Sequence, residues 1–134
     1  MTREEKKKYL HGYQNATIEL QKLEDEYFTA FTQATNMVFQ ITGMPTSKSK
    51  SDRLLKSVAK IMDMKERIDK YKKKIRTIDT EISHLRPYHR YMIEEIDIKH
   101  VPINVYAKRT GHDEKSLREM RNRVIDKMFL HTEL

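Results

Sequence analysis

Apolar residues early in the chain fall at alternating steps of three and four: Tyr13, Ala16, Leu20, Leu23, Tyr27, Ala30, Ala34, Met37 and Ile41. That spacing is the heptad signature of a helix with one apolar seam. It predicts a long first helix of about 40 residues, roughly 60 Å at the helical rise, with Gly12 as its weak point. Gly43 is placed to end that helix and Pro45 blocks its continuation, so the Ser/Lys alternation across 43–51 reads as an exposed connector. A second seam follows at Leu54, Val58, Ile61, Met64, Ile68, Tyr71, Ile75, Ile78, Ile82 and Leu85, with Ser51 or Asp52 as the cap of its helix. Helices this long joined by a connector this short are expected to fold back as an antiparallel pair. A bare pair covers only one stripe of each helix, so a homodimer or higher homo-oligomer is expected.

Pro87 stops a helix at Arg86 and can open another, which divides the chain into a helical coil at 1–86 and a head at 87–134. In the head, Tyr91, Met92 or Ile93, and Ile96 give a first helix, and His100–Pro102 a bend. A second helix is expected at Ile103–Thr110 and a third from about 114 to 128. The expected fold class is therefore all-α: a long antiparallel coil followed by a small three-helix head.

The last two helices have the spacing of a helix-turn-helix. Ala107 lets two helices approach closely, Gly111 suits a φ > 0 turn between them, and Leu117 and Met120 pin the second helix on the first. Asp113 is the expected N-cap, with Ser116 in the first turn. Leu117, Met120, Val124, Ile125 and Met128 then form one apolar stripe. Lys115, Ser116, Arg118, Glu119, Arg121, Asn122 and Arg123 are assigned to the opposite, outward side, with Lys108 and Arg109 on the supporting helix. Arginine forks suit phosphates or the guanine edge, and asparagine pairs with adenine, so this face has the chemistry of reading double-stranded DNA. Glu114 and Glu119 repel phosphate and must face cytosine amino groups, arginines or solvent.

Composition fits a polyanionic partner without requiring one. The net charge is +7, with 37% hydrophobic and 35% charged residues, so the core must be thin. The basic excess concentrates at 45–85, which carries 12 basic and 6 acidic residues. Within it, Lys72, Lys73, Lys74 and Arg76 are expected around the outside of the second seam. No apolar run can cross a bilayer and the N-terminus lacks the apolar core of a signal peptide, so a cytoplasmic location is expected. The chain has no cysteine. Its six histidines show no metal-ligand spacing, and acidic clusters such as Glu94–Glu95–Asp97 are expected to be solvated. Three glycines provide no phosphate-cradling loop. No cofactor, no metal and no enzymatic activity are expected.

The Arg90-Tyr91 pair, the run Pro102-Ile103-Asn104-Val105-Tyr106-Ala107-Lys108-Arg109-Thr110-Gly111, and the stretch from Lys115 to Met128 together resemble the C-terminal, promoter-reading domain of sigma factors. Preceded by the Pro/Ser connector and coil of Met44–Ile61, they are similar to the small phage transcriptional regulators of the RinA/ArpU type. The resemblance covers roughly residues 45–130. It implies a DNA-binding regulator of transcription from a phage or mobile element, reading DNA through Lys115, Arg118, Glu119, Asn122 and Arg123. Two other readings compete: a helical interaction factor acting on host RNA polymerase or another host protein, and a DNA-packaging protein like the phage terminase small subunits. In the latter the DNA-binding head usually precedes the oligomerising helices, whereas here it follows them.

Overall fold

The computed structural model describes residues 1–42 and 48–132, with side chains described for 1–38 and 52–132. The fold is all-α: α1 (Arg3–His11), α2 (Tyr13–Thr42), α3 (Lys48–Ser83), α4 (Pro87–Ile93), α5 (Ile103–Thr110) and α6 (Glu114–Lys127), with a π-helical turn at Glu94–Ile98 continuing α4. None of these helices is long and apolar enough to cross a membrane. Gly43 and Pro45 lie outside the described residues. The expected connector at 43–51 ends earlier than its spacing suggested: α3 already begins at Lys48, so Ser51 and Asp52 stand inside the helix and do not cap it.

The chain divides into two compact units, one of Thr17–Lys73 and one of Met1–Ala16 with Lys74–Leu134. In the first, α2 and α3 meet in antiparallel sense: Lys72 pairs with Glu24 at 3.8 Å, while Ser57 reaches the Met37 sulfur at 3.7 Å. Leu23, Ala34, Met64 and Ile68 are buried between them, as the two seams require. Val58, expected on the seam, is instead 42% exposed. The inward position of that turn is Ser57, half-buried against Met37, so Leu54, Ser57, Ile61 and Met64 keep the three-four alternation and Val58 falls one residue outside it.

The second unit is larger than the head expected at 87–134, because the start of the chain and the end of α3 from Lys74 onward belong to it. Thr2 caps α1: its hydroxyl accepts from the Glu5 amide at 3.2 Å and donates to the Glu5 carboxylate at 3.3 Å. The first helix is not continuous. It breaks at Gly12, which ends α1 with φ −80° and ψ −1°. Leu10 of α1 is fully buried among Ile78 and Ile82 of α3, Met92 and Ile93 of α4, Tyr106 of α5, and Leu117 and Ile125 of α6. The Lys74 ammonium sits 4.9 Å from the centre of the Tyr9 ring, so Lys74 lies against α1 and not on the outside of the seam as expected. Burial holds its pKa below the usual lysine value. A Cβ on Gly12 would come within 2.5 Å of that ammonium, so the missing side chain makes room for the lysine. Tyr13 donates to Asp79 at 2.8 Å, and burial together with that carboxylate pushes its phenol up to about 12.

Candidate nucleic-acid interface

The α5–α6 hairpin forms as its residues dictate. Pro102 opens α5, where its missing N–H is no loss, and its carbonyl accepts from the Tyr106 amide at 3.0 Å. Gly111 ends α5 at φ 73° and ψ 20°, a left-handed conformation that glycine adopts without the Cβ penalty. The Ala107 carbonyl accepts from the amides of both Gly111 and His112. Asp113 then caps α6, accepting from the Ser116 amide at 3.1 Å and from the Ser116 hydroxyl at 3.2 Å. Tyr106, Ala107, Leu117, Val124 and Ile125 are buried, and Met120 is half-buried beside them.

Lys115, Ser116, Arg118, Glu119 and Arg123 lie exposed on α6, and Asn122 is half-buried. The Ser116 hydroxyl is engaged in the cap. Arg118 pairs with Glu114 one turn back at 2.5 Å, an exposed pair that solvent screens and that contributes little to stability. Lys115 and Arg123 carry no ion pair among the described residues, and the same holds for Lys108 on α5. Arg109 is exposed, with its guanidinium 3.5 Å from the Glu95 carboxylate.

Arg121 does not belong to the outward face. Its guanidinium forks onto the fully buried Asp97, donating through Nε to Oδ2 at 3.1 Å and through Nη2 to Oδ1. His11 meets the same carboxylate at 2.9 Å. The physical reason lies in the π-helical turn, whose widened geometry takes Glu95, Ile96, Asp97 and Ile98 into burial in succession. A carboxylate taken from water there needs a charged partner. Arg121 sits one helical turn from both Leu117 and Val124 and is within reach. The expectation that this acidic cluster is solvated therefore fails at Glu95 and Asp97.

The sequence reading gave no role to α1, which packs on the C-terminal half of α6. Arg3 forms a two-point pair with Asp126, through Nε at 2.9 Å and Nη2 at 2.6 Å. The buried Lys6 ammonium donates to the Asp126 carbonyl at 2.9 Å, placing a cation on the last turn of α6 where the helix dipole favours one. Tyr9 meets Phe129 edge to face at 5.3 Å. The hydrogen bond from Arg3 holds the Asp126 pKa below the usual carboxylate value and raises that of Arg3. Arg3, Glu119, Asn122 and Arg123 line one shallow recess beside the exposed face. A hint of this packing was available, because Tyr9 and Lys6 continue the Tyr13 seam backwards at helical spacing.

A scan of protein-family models and searches of curated proteins and solved structures find no match to this chain.

Proposed function

We propose that the protein binds double-stranded DNA and reads its sequence in the major groove with the exposed face of α6, as a regulator of transcription. The observation that carries this reading is the α5–Gly111–α6 hairpin. One side of α6 is sealed by Leu117, Val124 and Ile125, while Lys115, Arg118, Asn122 and Arg123 stand on the other. Arg118 and Arg123 can grip phosphates or the guanine edge, and Asn122 offers the paired donor and acceptor that match adenine. Lys108 and Lys115 supply mobile positive charge for the backbone. Glu119 disfavours phosphate contact at its position and so limits which bases fit there. The resemblance to sigma-factor and RinA/ArpU-type readers points the same way.

Selection of bound fragments from a random duplex pool by the full chain tests this reading. A shared short motif among the recovered fragments supports it. Recovery of fragments without enrichment, at low and at moderate salt alike, overturns it.

A further inference from the structure

The Thr17–Lys73 unit carries an apolar flank that its own two helices leave uncovered. In a chain that is 35% charged, Tyr27–Thr42 runs for sixteen residues without one charged side chain. A helix segment uncharged on every side belongs in contact with more than one neighbour. Within this run the seam against α3 passes through Tyr27, Ala30, Ala34 and Met37, whereas Phe28 and Phe31 stand off it, 72% and 54% exposed. On α3, Leu55, Val58 and Met62 are 68%, 42% and 65% exposed. Phe31, Leu55 and Met62 each follow an inward position by one residue, and in an antiparallel pair such positions share one side.

The polar residues beside these aromatics are prepared for loss of water. The Thr32 hydroxyl donates to the Phe28 carbonyl and the Thr35 hydroxyl to the Phe31 carbonyl, each at 2.9 Å. Hydroxyls bonded to their own helix need no partner from solvent when a face is covered.

We infer that this flank, centred on Phe28, Phe31, Leu55, Val58 and Met62, is the contact surface for a second copy of the same chain, giving a four-helix bundle from two hairpins. Area and charge single out this occupant. The five side chains expose on the order of 500 Å² of apolar surface, close to two-thirds of the roughly 800 Å² that each partner in a standard interface buries, as homodimer interfaces require. A neutral α2 face offers no charge for a charged partner to match, but it meets its own copy about a two-fold axis without burying an unpaired charge. The seam residues Met64 and Ile68 are already buried inside one chain, so they are not free to serve association.

Sedimentation velocity of the full chain without DNA tests this independently of the DNA reading. The unmodified protein sediments as a dimer at micromolar concentration. Phe31→Ser and Met62→Lys each weaken dimerisation by at least about tenfold, while circular dichroism shows helix content retained, because both positions are exposed. Leu130→Ser, at an exposed apolar residue of the other unit, leaves the dimer intact. A monomeric unmodified protein, a dimer that survives both flank variants, or one that Leu130→Ser disrupts equally would overturn the assignment.

Discussion

The Arg121 guanidinium closes on the buried Asp97 carboxylate and so ties α6 to the π-helical turn after α4. Only 14% of the Arg121 side chain remains accessible. Two arginines three positions apart on α6 consequently have different physics: Arg118 stands in solvent beside Glu114, and Arg121 neutralises an interior charge. Arg121→Ala is expected to destabilise the protein by about 3–5 kcal/mol, because it leaves Asp97 buried without its main partner. Arg118→Ala should leave stability within about 0.5 kcal/mol of the unmodified protein. Chemical denaturation of the two variants side by side checks the contrast. Equal stabilities would show that the fork contributes nothing.

Gly111 provides a purely conformational test. Nothing lies within 4 Å of a Cβ added there, so a substitution meets no steric neighbour and only its backbone angle of φ 73° matters. Gly111→Ala should cost about 1–2 kcal/mol. Gly111→Asn should cost less, since asparagine tolerates the left-handed region better. If the two variants are equally stable, the turn does not hold that conformation in solution.

The Arg3–Asp126 pair predicts a pH effect of defined sign. A carboxylate whose pKa is lowered in the folded state adds stability above its unfolded value, 3.8, and loses it as pH falls through the lower folded value. The packing of α1 on α6 should loosen on acidification through that range and not on mild alkalinisation. Backbone amide exchange at α1 reads this directly. Arg3→Ala should return the Asp126 titration towards 3.8, and an unchanged titration in that variant would exclude the pair.

Where the fold could be read from the residues, the reason was local. Pro102, Gly111 and Asp113 each carry a backbone preference that acts within a few positions, so α5, the turn and the start of α6 follow from the sequence. Both long seams were visible because periodicity needs only one helix. Missing were the contacts between distant segments. Lys6 reads as a solvated lysine until Asp126 is known to lie beside it, and Asp97 as a surface acid until the π turn takes it inward. Arg121 was assigned to the wrong side of its helix for the same reason: its apolar neighbours Leu117 and Val124 mark the inner face, and only a buried acid opposite explains a charge there.

The most direct measurement is the salt dependence of duplex binding by the unmodified protein, compared with Arg118→Ala and with Arg121→Lys, on a selected site and on a scrambled one. The DNA reading predicts affinity that falls steeply with salt. It also predicts a loss of about 1–3 kcal/mol for Arg118→Ala on the selected site and little preference between the two sites thereafter. Arg121→Lys, which keeps the interior charge, should preserve that preference. Binding that ignores salt and Arg118, or that does not distinguish the two duplexes in the unmodified protein, would contradict the assignment of α6 as a reader of DNA.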